Sequence, residues 1–250
     1  MEAMKKKPVL ITVDGRRIEA VEESSLLEAL LREGWDIPTF CHHEAVRPYG
    51  ACRLCLVEVN QKGWKPEWRK ISTSCNFPVL EGLTVYTDSD KVLRHRRLVA
   101  ELLLARCPRS AEVREMAERL GVERTRLREQ DEDCILCGLC ARVCAEIVGA
   151  HAITFNARGG RKGLSTPFAE PSRECIACGA CVFVCPVSCI KLVQDESTRT
   201  IDRWGVSLEM AVSKRTGLPF APRKQLDGFA LRAGLPPDFY DVAPGEIERR

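Results

Sequence analysis

The sequence predicts an α+β chain with a small N-terminal sheet domain, a helical linker, a compact cysteine-rich domain and an extended C-terminal tail. Three observations carry that prediction. Residues 8–34 read as a hairpin followed by a short helix. Two near-copies of one cysteine pattern stand between Asp133 and Pro186. Beyond Cys189 the chain holds no cysteine at all, only scattered glycines, prolines and short apolar groups.

The first domain is expected over residues 1–90. Val9-Leu10-Ile11-Thr12-Val13 reads as a strand, Asp14-Gly15 supplies a two-residue turn, and residues 16–21 return antiparallel. Ser24 or Ser25 is placed to cap a helix from Leu26 to Arg32, with Glu28 completing a capping box and Gly34 ending it. A cysteine-bearing loop follows, with Cys41, Cys52 and Cys55, and then Cys75 at a distance. Plant-type [2Fe–2S] proteins carry Cys-x4-Cys-x2-Cys and a remote fourth cysteine, so the first gap here is longer. Small residues around Cys52 leave backbone N–H groups free to point at cluster sulfurs. His42 and His43 are read as neighbours of the site or surface groups, because four cysteines already complete it. Residues 83–87 read as a closing strand.

These residues resemble a known family. Cys41-His42-His43, Gly50-Ala51-Cys52-Arg53-Leu54-Cys55 and Ser74-Cys75 with Pro78-Val79 are similar to the N-terminal [2Fe–2S] domain of the large iron–sulfur subunit of respiratory complex I. The small diaphorase subunit of NAD-linked hydrogenases carries a similar module. So do the N-terminal parts of iron-only hydrogenases and of NAD-linked formate dehydrogenases. The resemblance implies a β-grasp ferredoxin domain. In that family a helix then leads to a His-x3-Cys-x2-Cys-x5-Cys site. Here residues 91–105 keep the helix, but only Cys107 stands where the site belongs, and His95 has the wrong spacing. That cluster is read as lost. Residues 110–120 read as a second amphipathic helix, and the 91–130 linker gives the two domains room to separate, so either they lie close together or, the favoured reading, a partner's cluster bridges the gap.

The second domain, 131–195, holds Cys134-x2-Cys137-x2-Cys140-x3-Cys144 and Cys175-x2-Cys178-x2-Cys181-x3-Cys185-Pro186. This is the bacterial run for two [4Fe–4S] clusters, in which the fourth cysteine of each run ligates the other run's cluster. The expected sets are therefore Cys134, Cys137, Cys140 and Cys185, and Cys175, Cys178, Cys181 and Cys144. Zinc knuckles use two Cys-x2-Cys pairs per ion and leave the third and fourth cysteines of each run unexplained. A hairpin insertion is expected around Gly159-Gly160, and Cys189 reads as a small packed residue. The tail, 196–250, reads as a docking arm or as a wrapping extension of this domain.

Composition narrows the function. A net charge of +3, with acids and bases interspersed, gives no case for nucleic acid, and no apolar run approaches membrane-spanning length. Three lysines near the N-terminus lack an apolar core behind them, so a cytoplasmic protein is expected, in which fourteen cysteines argue for metal ligation over disulfides. No Gly-rich nucleotide loop and no nucleophile–base pair is present, so no catalytic residue is assigned. Twelve cysteines in three sites point to relaying single electrons. The resemblance implies a subunit of an NAD-linked oxidoreductase, working between a flavin-containing NAD(P)H-oxidising subunit and a hydrogenase or formate dehydrogenase type of catalytic subunit. Ferredoxin is a further partner in those complexes that bifurcate electrons. The alternative is a free ferredoxin-like shuttle, which the near-neutral charge disfavours.

Overall fold

A computed structural model describes residues 7–246, so most of the lysine-bearing N-terminal stretch, 1–6, lies outside the described residues. The chain divides into two compact units, Met1–Cys137 and Gly138–Arg250.

The first unit is built on a five-stranded sheet. Strands β1 (Pro8–Val13) and β2 (Arg16–Val21) pair antiparallel around Asp14-Gly15, both in the left-handed region that a tight two-residue turn requires. Asp14 then ties the hairpin down. It accepts hydrogen bonds from the Thr87 N–H (2.8 Å), the Thr87 hydroxyl (2.6 Å) and the Trp35 indole (3.0 Å). Helix α1 (Leu26–Arg32) buries Leu26, Leu27, Ala29 and Leu30 against the sheet. Strands β3 (Leu56–Asn60), β4 (Lys70–Thr73) and β5 (Thr84–Tyr86) complete the order β2-β1-β5-β3-β4, in which only the β1–β5 pair is parallel. Ile11, Val13, Val57, Val59 and Val85 point from the sheet into the same core. Each such side chain contributes about 2 kcal/mol of apolar burial.

Helix α2 (Asp90–Arg106) is capped by Ser89, whose oxygen accepts the Val92 N–H at 3.2 Å while its hydroxyl donates to buried Glu58 at 2.7 Å. Helix α3 (Ala111–Arg119) is capped by Ser110 in the same way and packs on α2 through Val113 and Ala117. After α3 the chain turns back along α2. Arg126 gives its backbone N–H (2.6 Å) and guanidinium (2.7 and 2.8 Å) to buried Glu101, and the Gln130 N–H reaches the Ala105 carbonyl at 2.7 Å. Arg106 then donates to the Cys134 carbonyl at 2.7 Å. The charges of this stretch find partners on α2, so the linker folds onto the helix instead of running free.

The second unit opens with α4 (Leu139–Val143), which continues into a wider π-turn over Cys144–Val148. The expected insertion is a short hairpin of β6 (Thr154–Asn156) and β7 (Gly163–Ser165), and α5 (Ala180–Phe183) carries the second run. The C-terminal residues hold strands of their own. Strands β8 (Leu192–Gln194), β9 (Thr198–Ile201), β10 (Val206–Val212) and β11 (Pro219–Pro222) form an antiparallel sheet in the order β11-β10-β9-β8. Helix α6 (Arg223–Ala233) returns over β10 and β11, burying Leu226 and Ala230. Ile201, Trp204 and Val206 enter one core with Cys140, Cys144, Ala177 and Cys181. These C-terminal residues cover apolar surface around the second cysteine run.

Candidate metal centres

The first site takes Cys41, Cys52 and Cys55 from the segment between α1 and β3 and Cys75 from the turn after β4. Cys41, Cys52, Cys55 and Cys75 are all buried, at most 4 % exposed. They come together as two pairs. The Cys41 thiol donates toward Cys52, holding Cys52 down to about 5 with help from the N–H groups of Leu54 and Phe40, and Cys41 itself is pushed up. The Cys75 thiol likewise donates toward Cys55, which falls to about 7 while Cys75 rises. Backbone donors frame the sulfurs, Phe40 N–H to Cys52 and Cys52 N–H to Cys41, each at 3.4 Å.

Several residues that sequence reasoning missed hold this geometry. Ser25 makes no capping bond; its hydroxyl donates to the Cys75 carbonyl at 3.1 Å, so α1 anchors the fourth cysteine. The Ser74 N–H and hydroxyl both reach the Cys55 carbonyl at 2.9 Å. Gly50 is left-handed (φ +71°), and a Cβ there would meet the Asn76 amide at 2.5 Å, so the loop crosses the Cys75 segment where only glycine fits. From α2, the 5 %-exposed Arg96 donates to the Leu56 carbonyl through Nε (3.1 Å) and Nη2 (2.7 Å). His43 accepts the Ala45 N–H at 3.1 Å and belongs to the loop.

The two cysteine runs repeat one backbone design. Leu136 and Ala177, each just before the second cysteine, are left-handed (φ +55° and +48°). Their N–H groups turn back on the first cysteine, Leu136 to Cys134 at 3.4 Å and Ala177 to Cys175 at 3.5 Å. At the fourth cysteine the copies diverge. The Ala152 N–H donates to Cys144 at 3.3 Å across the π-turn, whereas Cys185 meets the thiol of Cys189, four residues on, with the two sulfurs 3.6 Å apart. The N–H groups of Val187, Cys189 and Ile190 all aim at Cys185, which the Cys189 thiol holds down to about 6.

Within the second unit, Cys144, Cys175, Cys178 and Cys181 line one apolar cavity with Val148, Ala150, Ile153 and Ile201. The fourth cysteine of the first run thus faces the first three of the second. Cys134 and Cys137 lie in the first unit and Cys140 and Cys185 in the second. Cys107, fully buried at the end of α2, feels the charge of Cys134, and burial pushes its thiol up to about 12. Among the described residues no three His, Cys, Asp or Glu side chains close on a point suited to a single metal ion. A cluster instead spreads its thiolates over several irons.

Comparison with known proteins agrees with this chemistry. Residues 6–90 match the family model of the 2Fe-2S iron-sulfur cluster binding domain, and residues 133–189 match that of the 4Fe-4S dicluster domain. The chain carries two iron–sulfur domains. It is 33 % identical over 188 residues to the NADPH-Fe(3+) oxidoreductase subunit alpha of Geobacter sulfurreducens, an alignment covering 65 % of this chain and 22 % of that protein. It is 30 % identical over 176 residues to an NADH-quinone oxidoreductase subunit of Rickettsia prowazekii (60 % and 25 %). To the mitochondrial NADH-ubiquinone oxidoreductase 78 kDa subunit of Candida albicans it is 29 % identical over 185 residues (63 % and 25 %). The chain thus spans about a quarter of the length of these relatives. A crystal structure of an NAD+-reducing [NiFe]-hydrogenase in the H2-reduced state superposes with a TM-score of 0.56 at 27 % identity, covering 63 % of this chain and 74 % of that one. The resemblance read from the cysteines, to complex I and to NAD-linked hydrogenases, is thereby met from two directions. No helix among the described residues is long and apolar enough to cross a membrane.

Proposed function

We propose that the chain is the electron-relay part of a cytoplasmic multi-subunit oxidoreductase. Electrons would pass singly between a flavin-containing NAD(P)H-oxidising subunit and a catalytic subunit of hydrogenase or formate dehydrogenase type, with ferredoxin as a further partner if the complex bifurcates. The observation that carries this reading is the set of cysteine groups along one chain whose relatives are themselves named as oxidoreductase subunits. Cys41 with Cys52 would hold one iron of a [2Fe–2S] cluster in a β-grasp domain, and Cys55 with Cys75 the other. Cys144, Cys175, Cys178 and Cys181 would hold one [4Fe–4S] cluster, and Cys134, Cys137, Cys140 and Cys185 a second. Such clusters supply reversible one-electron chemistry, with potentials set by charge, hydrogen bonds and solvent exposure. The chain's own part is to keep the thiols buried, to aim backbone donors at the sulfurs, and to exclude water with the α1 leucines and the C-terminal sheet.

The test uses the purified chain. Alone it should oxidise no NAD(P)H, while the reduced flavoprotein that co-elutes with it from its own cells should bleach its cluster absorbance. NAD(P)H turnover by the chain alone, or a lone 28.0 kDa peak from native extract, would count against the relay.

A further inference from the structure

Trp204 sits on the turn between β9 and β10 of the C-terminal sheet, beyond every expected ligand in the sequence, yet it is 5 % exposed and packs in the same core as Cys144 and Cys181. A short turn after β9 places it, closed by the Gly205 N–H on the Asp202 carbonyl at 2.9 Å. The Arg203 guanidinium lies over its ring, 6.0 Å from the centroid, and reaches the Cys189 carbonyl at 3.3 Å. Its indole N–H is buried and, among the described residues, closes no hydrogen bond of full geometry, although the Cys181 sulfur lies within its reach. A buried donor is costly to leave unpaired, so the group it is aimed at, a ligand sulfur or the cluster that sulfur would hold, is its natural acceptor.

We infer that Trp204 donates its indole N–H to the sulfur of the cluster held by Cys144, Cys175, Cys178 and Cys181, and so sets that cluster's potential from the C-terminal sheet. The inference rests on the cluster reading above. A donor at sulfur stabilises the more negative, reduced state more than the oxidised one, and therefore raises the potential. The role is one of positioning and tuning, exerted through a ligand sulfur or a cluster sulfide.

The experiment compares the fully loaded chain with Trp204→Phe, which keeps the ring and removes the donor. Redox titration followed by electron paramagnetic resonance should show one of the two [4Fe–4S] couples shifted down by about tenfold in its reduction equilibrium constant, about 59 mV for one electron. The other [4Fe–4S] couple, the [2Fe–2S] couple and the iron content should stay put. Unshifted couples, or equal shifts in both cubanes, would overturn the assignment. A second measurement needs no variant. In wild-type chain grown with 15N-indole tryptophan, the reduced cubane should couple magnetically to an indole nitrogen and to its exchangeable proton. A cubane present without that coupling brings down the tryptophan alone, whatever Trp204→Phe does to folding. A wild-type chain that assembles no cubane brings down the cluster reading beneath it.

Discussion

Arg96 is a buried cation that forms no ion pair among the described residues; its guanidinium meets only the Leu56 carbonyl. Burial lowers its pKa, and of its charged neighbours the Cys55 thiolate supports it most strongly. An arginine keeps its proton even so, so a fixed positive charge stands beside the [2Fe–2S] site and favours an added electron there. Arg96→Gln should lower the potential of that cluster by about tenfold in equilibrium constant, while Arg96→Lys should hold it near the wild-type value. Redox titration of the [2Fe–2S] signal decides, and a fall of equal size in both variants would show that shape matters and not charge. Because the charge is buried, the difference should survive high salt, unlike that of a surface residue.

At the scale of elements, α1 does two jobs with one set of residues. Its leucines fill the sheet's core, and the serine at its start holds the carbonyl of Cys75. Leu30→Ala should cost about 2–5 kcal/mol, seen as a lower midpoint of thermal unfolding. The cluster absorbance should be lost in step with the [2Fe–2S] domain's secondary structure. Loss of structure with the cluster retained would break that link. This element was legible because apolar spacing, turn and helix stop agree over residues 8–34. The capping box was misread because Ser25 had a distant carbonyl to serve. The C-terminal sheet was not legible at all. Three of its four strands are only three or four residues long, and β11 begins and ends with proline, so neither alternation nor propensity had room to show. Trp204 and Arg96 escaped for a related reason, since the residues they serve are remote in sequence. The one local signal was the Trp204-Gly205 turn.

For the whole molecule, the decisive quantity is metal content. Two cubanes and one [2Fe–2S] cluster amount to about 10 irons per chain, against about 14 if the site near Cys107 held another cubane. Cys107→Ser should leave the iron count and all cluster signals unchanged, because that thiol is fully buried at the end of α2 and no further cysteine occurs before Cys134. An iron assay near 14, or a cubane signal lost with Cys107→Ser, would restore the missing site. The cysteine spacing made the two iron–sulfur domains legible before any fold was known. What spacing could not convey is that residues beyond Gln194 close the core around the second run.

That closure bears on how the chain can be handled. A protein shortened to end at Gln194 would keep every cysteine but lose Ile201, Trp204 and Val206 from around Cys144 and Cys181, and would leave β8 without its partner β9. Uncovered apolar surface beside an unpaired strand edge invites self-association. Overproduced anaerobically, the shortened chain should collect in the pellet, with any dissolved fraction short of about four irons relative to the full-length protein. A brown, soluble and fully loaded product of that length would show that the C-terminal sheet is an ornament to the cluster domain and not one of its walls.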